Sequence, residues 1–108
     1  EIEHIYARNR YDKDKSLTDV KNLETLGNKA LLEKRINIRA ADYRFEDKVK
    51  YYQGFVNSRN QKKEGTRNHE LRRLSETLTD FTEKDILERT DAIMAKFLDY
   101  LRENGLLK

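Results

Sequence analysis

The first eight residues alternate between two kinds of side chain. In the segment EIEHIYAR, the even positions carry Ile2, His4 and Tyr6, whereas the odd positions carry acidic and apolar residues. Because successive side chains of a strand point to opposite faces, this period of two predicts a β-strand over residues 1–8. The segment from Asn9 to Thr18 is polar and has no helical stripe, which predicts a surface loop.

A corner at Leu26-Gly27-Asn28 separates this strand from a second one. Glycine and asparagine both tolerate positive φ, so the pair is typical of a tight turn. The residues that follow, from Lys29 to Glu33, can then return as a second strand against the first. Two strands alone are marginally stable in water, so the hairpin needs an element that covers it.

That cover is a helix, which the spacing predicts from about Lys34 to Gly54. Apolar residues recur there at steps of three and four, as on one face of a helix. These residues are Ile38, Ala41, Phe45, Val49 and Tyr52. Asn37 lies on the same face, near the helix start. Since an unpartnered buried carboxamide costs about 1 to 3 kcal/mol, we expect a cap, a hydrogen-bond network or a metal ion beside it.

The second half of the chain predicts further helices behind a basic connection. Residues 57–68, NSRNQKKEGTRN, have almost no apolar side chain and predict a flexible connection. Thr82 and Asp85 have the spacing of a helix cap, and Asn104-Gly105 is typical of a helix end. The apolar positions, which we expect in the core, are Leu71, Leu74, Leu78 and Phe81, then Ile86, Leu87, Ile93, Met94, Phe97, Leu98 and Leu101.

These elements predict one α+β domain that is mostly helical. A short β-hairpin plus a helix forms a core over residues 1–56, residues 57–69 form the connection, and residues 70–108 form a helical extension packed on the core. A chain of 108 residues has the length of one domain. It begins inside a predicted strand and without Met, so we expect it to be a piece of a longer protein.

Composition excludes several classes of function. The chain has no cysteine, which rules out a disulfide scaffold and Cys-based zinc sites and favours a cytoplasmic protein. No apolar run approaches the roughly 18 residues of a membrane span. The net charge of +3 argues only weakly for a polyanionic partner. Basic residues do flank the two motifs, and the candidates for DNA contact are Arg8, Arg10, Lys29, Arg35 and Arg39.

The residue types fit metal-assisted cleavage of a phosphodiester. His4 is the first choice for a base, because an imidazole with a pKa near 6.5 takes up a proton from water at neutral pH. Glu3 and Asn37 offer hard oxygen ligands, which suit Mg²⁺ first and Mn²⁺ second and make zinc a weaker choice. In a regular strand, however, Glu3 and His4 point to opposite faces, so a shared site requires a twisted strand end or a bulge.

Four motifs follow each other in a characteristic order. They are Ile2-Glu3-His4-Ile5, Leu26-Gly27-Asn28 with Leu31-Leu32, Asn37 with Phe45 and Lys48, and Ile86-Leu87-Glu88-Arg89. In this order the sequence resembles the HNH or ββα-metal nucleases, and within them the HNH-type domain of GmrSD-like, modification-dependent restriction enzymes. The resemblance implies that His4 is the general base, that Glu3 and Asn37 hold the metal, and that Asn28 braces the segment carrying His4.

The resemblance also implies partners and has three departures. It implies DNA as the substrate, in restriction or phage defence, and a nucleotide-sensing domain preceding this module. The departures are Ala7 for a common Pro, Asp42 for a common helix Asn, and Phe81 for a usual Trp. Asp42 stands about one turn beyond Asn37 and is a further candidate metal ligand.

Two other functions remain open at this point. The chain could be a non-catalytic module that binds nucleic acid or another partner and keeps only the fold. It could also be a helical structural domain in which His4 is incidental. Taken alone, each motif has such an ordinary explanation: a partly buried histidine, a turn and a helix cap.

Overall fold

The computed structural model describes residues 1–106, and over this range it contains four short strands and five α-helices. The strands are β1 Ile2–His4, β2 Lys29–Leu31, β3 Gly54–Val56 and β4 Lys62–Glu64, and the helices are α1 Arg8–Asp14, α2 Lys34–Ala40, α3 Phe45–Gln53, α4 His69–Thr77 and α5 Glu83–Glu103. Two 3₁₀ turns, Val20–Glu24 and Leu26–Asn28, precede β2. The α+β, mostly helical class predicted from the sequence is confirmed.

The predicted first hairpin is present but short. Strands β1 and β2 are antiparallel, with Glu3 opposite Ala30 and His4 opposite Lys29. The pairing ends at His4, and the backbone N–H of Ile5 donates to the carbonyl of Asn28 at 3.0 Å. The chain then bends and enters α1. The prediction of a strand through residue 8 is therefore too long.

The prediction of a loop from Asn9 to Thr18 is wrong in its first part. Helix α1 spans Arg8–Asp14 and contains no fully buried residue, so it lacks the apolar stripe by which sequence analysis detects a helix. The helix ends at Lys15, which adopts a left-handed conformation with φ of 53°. A short helix held by contacts of its charged side chains leaves little periodic signal.

The single helix predicted from Lys34 to Gly54 is in fact two. Helix α2 ends where Ala41 adopts φ of 46°, and α3 begins four residues later at Phe45. The buried positions are accordingly Ile36 and Ala40 on α2, whereas the predicted Ile38 is 64% exposed. The sequence does not reveal the break, because the spacing of apolar residues by three and four continues across it and no Pro or Gly lies there. The predicted end of α3 at Gly54, with φ of 91°, is confirmed.

The basic segment after α3 contains regular structure. Strands β3 and β4 form a second antiparallel hairpin, with Phe55 opposite Lys63. The sequence predicted only a connection here, because this hairpin buries little of its own surface. The division into a core, a connection and a helical extension stays a prediction.

Helix α5 differs along its length. Its start is capped as predicted, since the Asp85 carboxylate accepts hydrogen bonds from the Thr82 N–H at 2.8 Å and hydroxyl at 2.9 Å. Ile86 is fully buried, whereas Leu87 and Phe97 are 48% and 53% exposed. The prediction that the whole apolar stripe of α5 lies in the core is wrong: the exposed members are Leu87, Met94, Phe97 and Leu98.

The core lies between the first hairpin and the helices that surround it. Its members come from the segments around β1 and β2 and from α2, α3, α4 and the start of α5, and they include Ile5, Tyr6, Leu17, Leu23, Leu32, Ile36, Phe45, Tyr52, Leu71, Phe81 and Ile86. Across residues 1–106, no helix combines the length and the apolar character needed to cross a membrane.

Candidate functional site

Glu3 projects from β1 into the protein, where three side chains enclose its carboxylate. Its residue exposure is 3%. The Oε2 atom accepts a 2.6 Å hydrogen bond from the Tyr52 hydroxyl and a 3.2 Å bond from Lys48 Nζ. The Oε1 atom faces the Asn37 carboxamide, whose nitrogen lies 3.5 Å away. One carboxylate thus joins β1 to both α2 and α3.

Burial shifts the pKa values of two partners of Glu3, Lys48 and Tyr52. Lys48 is 1% exposed, and this burial lowers the pKa of its ammonium, while the charge and hydrogen bond of Glu3 oppose that change. Burial also raises the pKa of Tyr52 well above its usual value, and the neighbouring Glu3 carboxylate adds to the increase. Lys48 Nζ donates a second bond, of 2.7 Å, to the backbone carbonyl of His4. The buried cluster therefore fixes the backbone at His4 as well as the Glu3 side chain.

His4 leaves the strand on the other side and is partly exposed, with 36% of its side chain accessible. Its Nε2 atom lies 3.2 and 3.3 Å from the two carboxylate oxygens of Glu24. That carboxylate also accepts from Arg8 Nη2 at 3.1 Å and pairs with Lys29 Nζ at 3.1 Å. The hydrogen bonds from His4 and Lys29 lower the pKa of Glu24 to about 2. Glu24 is thus a carboxylate at the surface with three nitrogen partners.

Asn28 joins the end of β1 to the corner formed by Leu26–Asn28. The residue is fully buried, and its Oδ1 atom accepts the N–H of Tyr6 at 2.7 Å. Its Nδ2 atom donates to the carbonyls of Tyr6 and Leu23, both at 3.0 Å. All these bonds act on segments next to His4 and Glu24. The catalytic role that the family resemblance implies for Asn28 stays a prediction.

Gly27 is required at this corner for a reason other than the predicted one. It is not among the residues with positive φ. Instead, an added Cβ would lie 1.9 Å from the Ile86 carbonyl oxygen and 2.2 Å from Thr90 Oγ1, so α5 packs directly on its backbone. Arg89 Nη1 also donates to the Lys29 carbonyl at 2.6 Å. The corner is therefore clamped by the buried end of α5.

The predicted metal ligands are only partly assembled. Glu3 and Asn37 meet, but Asp42 follows the end of α2 instead of lying one turn farther along the same helix. Asp42 is exposed, and its charge acts on Lys48 without a direct bond to Glu3 or Asn37. Within residues 1–106, no three His, Asp or Glu side chains form a cluster suited to a metal. An ion bound by Glu3 here would need its other ligands from amide, water and substrate oxygens.

The predicted DNA-contacting residues divide into two groups. Arg10 is engaged elsewhere, because its guanidinium forms two bonds to the Asp80 carboxylate at 2.6 and 2.8 Å and its side chain is only 10% exposed. Arg8 and Lys29 border His4 through Glu24. Arg35 is exposed and Arg39 partly exposed on α2, the helix that carries Asn37.

Three functional candidates were missed by sequence reasoning. Lys48 and Tyr52 are four residues apart and share a face of α3, so a buried acid such as Glu3 could have been matched to them. Glu24 had no such signal, because its contact with His4 joins residues 20 positions apart through the fold. Only the three-dimensional arrangement identifies Glu24.

Three comparisons with known proteins complete the description. The search of curated proteins found no match, and neither did the search of solved structures. The scan against family models found the model described as GmrSD restriction endonucleases, C-terminal domain, over residues 1–96. That match covers all the elements around Glu3 and His4 and most of α5. With 96 of its 108 residues matched, the chain belongs to the family of C-terminal domains of GmrSD restriction endonucleases.

Proposed function

We propose that this domain is a metal-dependent DNA endonuclease of the HNH type, acting in restriction or phage defence. Its family is one of restriction endonucleases, which indicates a nuclease of that general kind. The observation that carries the finer proposal is the arrangement around β1, where the partly exposed imidazole of His4 follows the buried Glu3, whose carboxylate contacts the half-buried Asn37. A nucleotide-sensing domain in the same or a partner chain would then select the DNA.

In this mechanism His4 is the general base. Its side chain is accessible to water. Its backbone carbonyl accepts a 2.7 Å hydrogen bond from Lys48 Nζ, which fixes the backbone from which the imidazole projects. General base catalysis by a positioned side chain contributes about 10²- to 10⁴-fold to a rate. His69, the only other histidine, lies at the start of α4 and is exposed.

Glu3 and Asn37 are the proposed ligands of a divalent ion, and their donor set fits one. Tyr52 and Lys48 bind Oε2, so Oε1 keeps only the 3.5 Å contact with the Asn37 carboxamide. A half-turn of that amide, whose two orientations are alike in shape, would aim an oxygen at Oε1. Two hard oxygens completed by water and phosphate suit Mg²⁺ or Mn²⁺. When bound, the ion would neutralise charge on the phosphoryl oxygens.

The proposed DNA-binding surface consists of those predicted DNA-contacting residues whose side chains remain accessible: Arg8, Lys29, Arg35 and Arg39. Each contact between such a residue and a phosphate releases counterions, so binding should weaken as salt rises. Arg10 is not part of this surface because Asp80 occupies its guanidinium.

The test is a plasmid-cleavage assay with Mg²⁺, with Mn²⁺ and with a chelator. We expect the parent to cut only with the metal, and His4→Ala to cut about 10²- to 10⁴-fold more slowly because its base is missing. The matched control is His69→Ala, which removes the other imidazole and should cut at the parental rate. A His4→Ala variant that remains folded and cuts as fast as the parent would falsify the assignment of His4.

A second function is supported by one specific observation. The Glu3 carboxylate is buried and already neutralised by Lys48, which favours a domain that binds nucleic acid without cutting it. Such a domain would bind DNA with a steep salt dependence and show no cleavage with any divalent ion. The same plasmid assay, run beside a DNA-binding measurement, separates the two functions.

A further inference from the structure

We propose that Glu24 is a positioning residue for His4. Its carboxylate accepts a hydrogen bond from the Nε2–H group of the imidazole, so that Nδ1 carries no proton and can take one from water. This inference rests on the proposed nuclease function. Its basis is the contact of both Glu24 carboxylate oxygens with one ring nitrogen, at 3.2 and 3.3 Å. A neutral imidazole carries one N–H and one bare nitrogen, and the partner of the N–H decides which is which.

The carboxylate is held in place independently of His4. Leu23, the preceding residue, is buried, and its carbonyl accepts from Asn28 Nδ2 at 3.0 Å, which anchors the backbone of the turn that ends at Glu24. At the surface, Arg8 and Lys29 each lie 3.1 Å from one carboxylate oxygen. Glu24 is therefore ionised at neutral pH and restrained from both ends.

The chemical step follows from this arrangement. One proton moves from water to His4 Nδ1, the hydroxide oxygen bonds to phosphorus, and the bond from phosphorus to the leaving oxygen breaks. The leaving oxygen then takes a proton from solvent. The imidazole becomes an imidazolium in this step, and the negative charge of Glu24 stabilises it at a distance of one hydrogen bond.

An opposing interpretation is that Glu24 only fills the place of a phosphate between Arg8 and Lys29. In that case DNA would displace it, and its removal would speed cleavage. The geometry favours positioning, because Arg8 and Lys29 each contact a single oxygen whereas His4 Nε2 is shared by both. The two interpretations predict changes of opposite sign.

The kinetic test compares Glu24→Gln with the parent and with Glu88→Gln. Glu88 is a matched control, since it is an exposed glutamate on α5 whose one ion pair within residues 1–106 is with Lys84, at 3.8 Å. For Glu24→Gln we expect kcat to fall about 10- to 100-fold, as for other residues that orient a functional group, with no rise in KM because a negative charge has left the DNA-binding surface. An unchanged or increased kcat overturns the proposal.

A second readout is independent of cleavage. With only two histidines, the imidazole ¹⁵N resonances can be assigned with His69→Ala. Above the imidazole pKa, we expect the parent His4 to be in the Nε2–H form and Glu24→Gln to give a mixture of both forms. A parent His4 in the Nδ1–H form, or one that Glu24→Gln leaves unchanged, overturns the proposal. If the expected forms appear in a domain that does not cut DNA, the nuclease function fails while the hold of Glu24 on His4 stands.

Discussion

Glu3 and His4 are neighbours in β1, yet they belong to two different surroundings. Glu3 is 3% exposed in a closed cluster with Lys48 and Tyr52. His4 has 36% of its side chain exposed, and Glu24 is its acceptor in an open cluster of charges. Because the side chains of a strand alternate, a single residue step separates a position that stabilises the fold from one that can meet a substrate.

The difference shows how the domain combines a rigid support with an accessible group. Lys48 links the two sides, since its ammonium binds both the Glu3 carboxylate and the His4 carbonyl. Buried ion pairs are costly to break, whereas exposed ones contribute little to stability. Substitutions in the buried cluster should therefore change the free energy of unfolding most, and substitutions in the exposed cluster should change it little.

The largest expected effect on stability is that of Lys48→Ala. It leaves the Glu3 carboxylate buried without its counterion, so we expect a loss of about 3 to 5 kcal/mol in the free energy of unfolding. Urea denaturation measures this loss. The control is Lys50→Ala, on the same helix but at an exposed position, which should change the midpoint little. Equal losses of stability in the two variants would mean that the buried pair of Lys48 and Glu3 contributes no more to stability than an exposed lysine does.

A smaller loss is expected for Tyr52→Phe. The ring stays in the core, but the 2.6 Å bond to Glu3 Oε2 is lost, and a buried acceptor that loses a partner costs about 1 to 3 kcal/mol. The half-buried neighbour Tyr51 provides the comparison, because Tyr51→Phe leaves the Glu3 cluster intact. A Tyr52→Phe variant as stable as Tyr51→Phe would show that Lys48 alone satisfies Glu3.

The smallest effect concerns the exposed carboxylate of Glu24 and the partly exposed carboxylate of Glu83, whose pKa values are both lowered to about 2. A folded-state pKa below the ordinary value of 4.5 means that each group stabilises the fold above about pH 4.5, and that this stabilisation disappears as the pH falls to about 2. The causes differ. The partners of Glu24 are His4 and Lys29, whereas those of Glu83 are uncharged groups of Thr18, Asp19 and Asn22.

Salt separates these two causes. Raising the ionic strength from about 0.1 M to about 1 M shortens the Debye length from about 10 Å to about 3 Å. We expect the pKa of Glu24 to rise under these conditions and the pKa of Glu83 to stay low, as followed by carboxyl ¹³C titration. A salt-insensitive pKa at Glu24 would mean that its contacts with the charged groups are not maintained in solution.

The sequence predicted those parts of the fold that a local pattern marks. The hairpin was predicted from its period of two, the corner before Lys29 from its Gly-Asn pair, and the capped start of α5 from the spacing of Thr82 and Asp85. Helix α1 was missed because it buries no residue completely, and the break at Ala41 was missed because an alanine in a left-handed conformation leaves no mark in the sequence. Local pattern cannot report a backbone conformation that tertiary packing imposes.

The candidate site was predictable to a similar degree. The motifs predicted that the segments carrying His4, Asn28 and Asn37 meet, and in the structure Asn28 binds Tyr6 and Asn37 contacts Glu3. Glu3 and His4 point to opposite sides, as expected for a regular strand. The role of each in catalysis stays a prediction. The contact of Lys48 with Glu3 and that of Glu24 with His4 depend on which helix or turn faces each side of β1. The motif that contains Lys48 does not give this contact, and no motif contains Glu24.

The packing of α5 on Gly27 has a consequence for the order in which the protein is made. The corner residues Gly27 and Lys29 are synthesised about 60 residues before Thr90 and Arg89, which bind them. A nascent chain folds as its segments emerge, at about 5 to 20 residues per second. The corner that carries Asn28 therefore emerges seconds before its partners, and its contacts are completed only when this part of α5 has been made.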